Sequence, residues 1–409
     1  MVRVRGSWFQ WEAAAAASGG GAVLLCALVA CGDAGGQGVD ADAVRILTAV
    51  EDLRIGSVDD PDAGFTRIAG VRVAADGRVF VLEQREMQIR VYDAQGRRVR
   101  VIGGEGEGPG EFRYPSSLGL RNDTIWVVDN LNRRLTLFDL DGRVLATIPA
   151  GGALVWGNTV RVVPSEPLGN GRYASRLSVP SPGTSPQDSL RVPALVFDST
   201  GAVVDTAGTH FFPATPVIQA VVRNMGTLLP TPLYDHPLII PIGGDTITVD
   251  RTAPTTGDPA FFTVTRTSRG DRSCQTGDSR CVRFSTSIRY RPRAVVTDTI
   301  VALTVRRNPQ HPATPDEIGA AVREVLPAIP LHPPVARHVV GPDGTLWLQR
   351  EEIGGDSLRW LILRGDGPVQ GQVFLPRDDR VMWVADGVAW LVVTDSLDVP
   401  WLVRVRLEG

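Results

Sequence analysis

The chain has 409 residues and a formal net charge of −3, and 43% of its residues are hydrophobic while 21% are charged. These proportions are those of a folded globular protein, and they exclude a mainly disordered chain, a collagen and a polytopic membrane protein. All 42 basic residues are arginine, which excludes P-loop and Schiff-base mechanisms that depend on lysine. The charge balance also argues against nucleic acid as a partner, because phosphate binding needs a basic excess or patch.

The first elements of the chain predict an export signal. A basic segment precedes the apolar run 22–30, which ends immediately before Cys31. This pattern resembles a bacterial lipoprotein signal, and the run is shorter than the roughly 20 residues that span a bilayer. We therefore predict a signal peptide over 1–30, a lipidated Cys31 and a flexible tether over 31–42. A generic cleaved signal is the alternative.

A lipid on Cys31 would place the protein in the bacterial cell envelope, facing the periplasm or the cell surface, with the membrane as a partner. The cysteines Cys274 and Cys281 flank a short polar loop. In an exported protein this pair predicts a disulfide, which would contribute about 2–3 kcal/mol in the chain-entropy model. A zinc site is the alternative, although two cysteines with no nearby histidine supply too few ligands.

A repeat with a spacing of 46 residues organises the chain after the tether. Residues 71–102 hold short runs of alternating apolar and polar residues, and the repeat aligns Phe80 with Trp126 and Glu83 with Asp129. Alternation with period two predicts half-buried strands, and the Asp-Gly pairs between the runs predict hairpin turns. Three or four strands in a unit of about 40–50 residues are typical of a propeller blade.

Four weaker copies bring the predicted count to six blades, or to seven if the degenerate region 208–300 hides two. The last copy, within 376–409, ends after its third strand, and the stretch 44–56 could supply the fourth. Closing the ring in this way removes exposed sheet edges. The sequence therefore predicts an all-β fold, with a single six-bladed β-propeller over 43–409.

One helix interrupts the strand pattern. Thr314 and Glu317 form a capping box, Pro315 takes the first helical position, and Pro327 ends the helix. We predict a helix over 315–326 as an insertion between blades four and five. Its apolar stripe would pack on a blade, and a lid over the ligand site is the alternative.

The stretch 101–142, with its glycine-rich run Gly103–Gly110, resembles NHL repeats. The wider chain is similar to bacterial six-bladed β-propeller lipoproteins related to that family. This resemblance implies the propeller fold, and it implies a binding function because NHL-type propellers mostly bind other molecules. A few relatives are enzymes, including amidating lyases and gluconolactonases, so the fold alone does not fix the function.

Candidate ligand-binding residues cluster in the predicted loops of one propeller face, where the connections between blades meet the turns after the second strands. They are Glu83, Gln84, Asp129, Asn130, Arg133, Arg134, Arg350 and Glu351. Glu83 and Asp129 hold equivalent repeat positions, so both would lie at the same end of the channel. Such carboxylates could hold Ca²⁺ or another divalent ion, or perform acid–base chemistry. The alternative is that they cap strands and pair between blades.

The function that follows is an exported, lipid-anchored binding or interaction module. We expect a monomer whose ligand is a protein, a peptide or a glycan, with no cofactor. The first alternative is a metal-assisted lyase or lactonase that uses Glu83 and Asp129. The second alternative is a structural role in the envelope.

Overall fold

The structure is a computed structural model, and it describes the chain from Gly38 to Gly409 with internal gaps. The described residues are 38–60, 63–155, 158–175, 190–212, 218–222, 225–229, 233, 237–242, 245–252, 254, 256–268, 281–307, 313–325, 330–350 and 356–409. They belong to one compact unit, which spans Gln37–Gly409. No helix in these ranges is long and apolar enough to cross a membrane.

Most of the described strands form six blades of a β-propeller, each built on four antiparallel strands, and blades five and six are joined into one eight-stranded sheet. Two strands, β1 (Val39–Asp40) and β2 (Ile46–Ile55), precede the first blade. Blade one comprises β3 (Ile68–Val73), β4 (Val79–Glu83), β5 (Gln88–Tyr92) and β6 (Arg98–Gly103). Blade two comprises β7 (Pro115–Arg121), β8 (Thr124–Asp129), β9 (Arg134–Asp139) and β10 (Val144–Pro149).

A hairpin of β11 (Gly151–Val155) and β12 (Asn158–Val162) leads to blade three, which comprises β13 (Pro164–Gly169), β14 (Arg172–Ser175), β15 (Leu190–Phe197) and β16 (Val203–Phe212). A second hairpin, β17 (Ile218–Val222) and β18 (Met225–Leu229), leads to blade four, with β19 (Leu238–Ile242), β20 (Asp245–Asp250), β21 (Ala260–Ser268) and β22 (Val282–Tyr290). The helices α1 (Thr297–Arg307) and α2 (Pro315–Val325) then precede blade five, with β23 (Val335–Val340), β24 (Leu346–Arg350), β25 (Ser357–Leu363) and β26 (Val369–Pro376). The strands β27 (Arg380–Ala385), β28 (Val388–Thr394) and β29 (Pro400–Glu408) belong to blade six.

The core lies between neighbouring blades rather than at one central point. The second strands β4 and β8 are buried along their whole lengths or nearly so, while the outer strands β6 and β10 are mostly exposed. One cluster joins Phe80 of blade one to Phe138 of blade two, and another joins Val81 of blade one to Trp390 of blade six. This arrangement arises because both faces of a blade carry apolar side chains, and each face is buried only when a neighbouring blade packs on it.

The ring is closed by a strand from the beginning of the chain. The strand β2 pairs antiparallel with β29 and supplies the outermost strand of blade six. Asp52 on β2 accepts hydrogen bonds from the guanidinium groups of Arg404, at 2.7 Å, and Arg406, at 2.5 Å. The start of β2 also pairs in parallel with β26, where Ile46 lies opposite Gln372. The strand β2 thus connects to both of the last two blades.

Part of the predicted tether is folded. The strand β1 pairs in parallel with β22, so that blade four gains a fifth strand. Asp40 accepts a hydrogen bond from Arg289 at 2.6 Å, and the side chain of Ala41 is buried in the core between blades four and five. The prediction of a tether reaching Asp42 therefore fails for residues 38–42, because this short segment finds both a strand edge and an apolar contact.

The six-bladed prediction is confirmed in the described ranges, and the region 208–300 contributes blade four together with the hairpin β17–β18. The predicted helix is present as α2, and its capping box forms: Thr314 N–H donates to Glu317 at 2.7 Å, while Glu317 N–H donates to Thr314 Oγ1 at 3.3 Å. The helix α1 was not predicted. The apolar stripe of α2 packs against α1 and the strand β17, and not against a blade as expected.

Closure by β2 can be tested with one buried and one exposed side chain on the same strand. Leu47 is 4% exposed and packs among residues of blades five and six, whereas Ile46 is 63% exposed. We expect Leu47→Ala to lower the free energy of unfolding by about 2–4 kcal/mol in urea titrations, because it leaves a cavity under the closing strand. The control Ile46→Ala should change it by less than about 0.5 kcal/mol. Equally small changes in the free energy of unfolding for both variants would contradict the view that β2 stabilises the closed ring.

Candidate functional site

One face of the propeller carries the connections between blades and the turns after the second strands. In blade one the turn residue Gln84 donates its backbone N–H to the carbonyl of Arg67 in the preceding connection, at 3.0 Å. In blade two Asn130 makes the equivalent bond to Tyr114, at 3.1 Å. We call this surface the connection face. In each of these two blades, a backbone hydrogen bond ties the turn to the connection that enters the blade.

Glu83, the last residue of β4, holds the connection that enters blade one. Its side chain is 0% exposed. Its two oxygens accept backbone N–H groups of Thr66, at 2.9 Å, and Arg67, at 2.6 Å. Burial raises the pKa of the Glu83 carboxyl, and the two backbone donors oppose that rise. Both oxygens of this side chain are therefore used by the fold.

Asp129, the last residue of β8, does the same work in blade two. It is also 0% exposed. Its oxygens accept backbone N–H groups of Arg113 at 2.8 Å and Tyr114 at 3.1 Å. The N–H groups of Leu131 and Asn132, in the turn that follows, each donate to Asp129 at 3.1 Å. One carboxylate thus fixes both the connection and the turn.

These positions correct the prediction that Glu83 and Asp129 face a ligand at the channel mouth. The two carboxylates are equivalent in the repeat, as expected, but their oxygens point into backbone N–H groups. A buried backbone N–H needs a partner, and a carboxylate at the end of the second strand supplies several at once. In the part of the chain that the structure describes, no three His, Cys, Asp or Glu side chains are placed to hold a metal ion.

The glycine-rich connection 103–110 is pinned from blade two. Arg134, one of the candidate ligand-binding residues, donates to the carbonyls of Glu107, Gly108 and Glu111 at 2.6–2.8 Å. Its guanidinium group therefore holds the connector. Gly103 has φ +88°, and a Cβ there would lie 2.3 Å from the ring of Phe112, so only glycine fits. The run is a fixed connector between two blades.

Three further candidates lie on the connection face in different environments. Gln84 is 9% exposed, and its side-chain amide donates to the carbonyl of Pro115 at 2.9 Å, which links blade one to blade two. Asn130 and Arg133 are exposed. Beside them, Leu131 is 57% exposed. Asn130, Leu131 and Arg133 therefore form a surface that another molecule can reach.

Arg350 at the end of β24 is buried, and its guanidinium carbon lies 4.8 Å from the centre of the Tyr290 ring in blade four. Burial raises the pKa of Tyr290 to about 12, against the opposing charge of Arg350.

Cys281, one of the two cysteines of the predicted disulfide, is buried. The other residues predicted for this surface, for lipidation and for the disulfide lie outside the described residues: Glu351, Cys31 and Cys274.

A group of arginines that the sequence analysis did not single out lies at the inner rim of the connection face. Arg67 precedes β3, Arg337 lies near the start of β23, and Arg380 begins β27. All three residues are exposed. Burial lowers the pKa of Arg380, and the charges of Arg67 and Arg337 lower it further. The sequence analysis missed them because they come from first strands far apart in the chain, which only the closed ring brings together.

Comparison with protein families confirms the propeller prediction. Residues 62–149, which cover the first two blades, match a family described as a 6-bladed beta-propeller. No curated protein matches the chain.

Solved structures similar to this chain include three bacterial proteins. A member of the DUF4221 family from Bacteroides vulgatus has 9% identity and a TM-score of 0.49, over 89% of this chain and 99% of that one. A candidate exported protein from Bacteroides fragilis has 11% identity and a TM-score of 0.47, over 91% of this chain and 97% of that one. Virginiamycin B lyase from Staphylococcus aureus has 11% identity and a TM-score of 0.36, over 88% and 99%.

The structural role of Asp129 can be separated from a ligand-binding role by measuring stability. We expect Asp129→Ala to lower the free energy of unfolding by about 2–4 kcal/mol, because it leaves buried backbone N–H groups without partners. Asp141→Ala is the control, because the Asp141 side chain is 67% exposed and its ion pair with Arg78 is at the surface. That change should cost less than about 1 kcal/mol. An Asp129→Ala protein as stable as the wild type would show that the carboxylate is available for another purpose.

Proposed function

We propose that this protein is an exported, lipid-anchored β-propeller that binds another molecule at its connection face. The observation that carries the proposal concerns Glu83 and Asp129. Both carboxylates are fully buried, and both accept backbone N–H groups that hold the connections in place. Loops held in this way are preorganised, so a ligand would lose little free energy in ordering them. A binding surface built on a rigid ring fits that arrangement.

The proximity of exposed polar and apolar groups supports the same proposal. Leu131 is exposed between Asn130 and Arg133, on a turn that Asp129 fixes through two backbone N–H groups. Tyr114, on the adjoining connection, is 43% exposed. An apolar side chain and an aromatic one, flanked by hydrogen-bonding groups, make a contact surface of the kind that recognises proteins, peptides or glycans.

The lyase or lactonase alternative needs carboxylates that reach a substrate or an ion. A general base must lie within hydrogen-bond distance of the proton that it removes. Glu83 and Asp129 instead lie within that distance of backbone N–H groups of the protein itself. Their positions therefore favour binding over catalysis by this pair.

The binding proposal is tested by locating the contact surface. The purified unit 37–409 is screened for saturable binding to immobilised glycans and peptides, and the recovered ligand is checked by mass spectrometry. For a ligand so found, we expect the double variant Asn130→Ala, Leu131→Ala to weaken binding by roughly tenfold or more, because it removes an exposed apolar contact and an amide. The ligand should be recovered chemically unchanged.

The matched control for that variant lies at the turn between β9 and β10, on the opposite side of the same blade. Asp141→Ala with Arg143→Ala removes two exposed side chains there and should leave the affinity unchanged. Equal weakening by both double variants would contradict the assigned face. Conversion of the ligand to a product would contradict a pure binding role.

The lipid anchor rests on the N-terminal sequence, where a basic segment, an apolar run and Cys31 follow one another. We expect the wild-type protein to partition into detergent and to incorporate labelled fatty acid in a bacterial host, and we expect Cys31→Ser to abolish both. The control is Cys26→Ser, which changes a cysteine inside the apolar run and should leave lipidation intact. Lipidation that persists in Cys31→Ser would overturn the assignment.

A further inference from the structure

We propose that Arg67, Arg337 and Arg380 form an anion-binding rim at the inner edge of the connection face, and that they take a carboxylate or phosphate group of the ligand. This inference rests on the proposed binding function and specifies the chemistry of the ligand. We call these three residues the arginine rim.

The geometry brings the arginine rim together from distant parts of the chain. The innermost strands β23, β27 and β3 belong to three successive blades and contact one another in that order. The side chain of Arg380 crosses from blade six to blade one, where its Nη2 donates to the carbonyl of Ile68 at 3.2 Å. That carbonyl belongs to the residue immediately after Arg67, so the two arginines lie at the same end of neighbouring strands.

Within the described ranges, none of the three guanidinium groups of the arginine rim forms an ion pair with a carboxylate. Of the nearby acids, Glu83 is bound to backbone N–H groups, and Glu86 accepts a hydrogen bond from Arg90 at 2.6 Å.

Two further acids, Asp378 and Asp379, directly precede Arg380 in the chain. Burial and the charge of Asp378 raise the pKa of Asp379, and its attractive partner is Arg54 on the closing strand β2. Arg54 itself is ion-paired with Glu51. Among the described residues, neither acid forms an ion pair with Arg380, so the rim arginines are left without a paired carboxylate there.

The surroundings of Arg380 favour an anion over water alone. Arg380 is exposed and lies beside two like charges: burial, and then the charges of Arg67 and Arg337, lower the pKa of its guanidinium group. Like charges in such a position repel one another, and an anion between them would relieve that repulsion. Guanidinium groups also donate in pairs, which matches the two oxygens of a carboxylate or phosphate.

Two further groups lie behind the rim, a cation and a neutral histidine. Arg251 of blade four is buried and donates to the carbonyls of Val335, at 3.0 Å, and Ala336, at 3.4 Å, directly before Arg337. Burial and the charge of Arg251 lower the pKa of His338 to about 4, so that histidine is neutral at pH 7. The cationic character of this site is therefore permanent at physiological pH and does not depend on histidine.

The test is calorimetric titration of unit 37–409 with citrate and, separately, with inorganic phosphate, at low and at high NaCl concentration. We expect saturable binding of at least one of them that weakens with salt, and we expect Arg380→Gln to weaken it by roughly tenfold to a hundredfold. Binding of citrate alone would identify a carboxylate ligand, and binding of phosphate alone a phosphate ligand. Binding of neither probe would overturn the proposal.

Matched variants separate a local effect from a change of total charge or of folding. Arg143→Gln removes one exposed arginine from the turn between β9 and β10 and should bind the anion as the wild type does. Arg337→Gln is the second rim variant; unlike Arg380, its side chain makes no hydrogen bond to a neighbouring blade within the described residues, so its loss should leave the melting temperature unchanged. Equal weakening by Arg143→Gln, or unchanged binding in both rim variants, would overturn the proposal.

The arginine-rim proposal can fail separately from the proposed binding function. If the ligand found on the connection face is lost in the Asn130, Leu131 double variant but bound normally by Arg380→Gln, the binding role stands and the anion rim is wrong. If the anion binds at the rim and no larger ligand depends on Asn130 and Leu131, the reverse holds.

Discussion

The pairing of β2 with β29 is the constraint on which the rest of the structure depends. A propeller blade has two strand edges and two apolar faces. In an open row of blades, the outward faces of the first and last blades and an edge of the incomplete last blade would stay uncovered. The closing strand covers the edge of blade six, and the ring then covers the remaining faces by joining blade six to blade one. Asp52 reinforces this closure, since it accepts hydrogen bonds from two arginines of the last strand.

Closure also decides which residues can act together. Arg67 and Arg380 are far apart in the chain, and they become neighbours only because the ring brings blade six against blade one. A motif that is read along the sequence cannot show this relation. The same holds for Trp126, whose indole N–H donates to the carbonyl of Ser165 in the next blade at 2.9 Å. Contacts across blades are therefore as informative as the repeat itself.

The blades themselves could be predicted because their signals are local. Alternation with period two and the Asp-Gly turns depend on a few adjacent residues, and the capping box at Thr314 and Glu317 does too. The helix α1 was missed because Ile300, Val301 and Thr304 are β-branched and are typical of strands. Its neighbours override that preference: Ile300 is fully buried against α2. Tertiary packing outweighs a weak local propensity here.

The candidate site shows the limit of the same reasoning in a different way. Repeat alignment placed Glu83 and Asp129 at equivalent positions, but a sequence does not show which groups a carboxylate faces. A strand that ends at a connection leaves backbone N–H groups without partners, and the nearest carboxylate satisfies them first. An acidic residue repeated in every strong copy of a blade is thus explained by the needs of the blade. Arg380 shows the complementary case: its hydrogen bond to the carbonyl of Ile68 crosses from blade six to blade one, so only the closed ring reveals which residues it can act with.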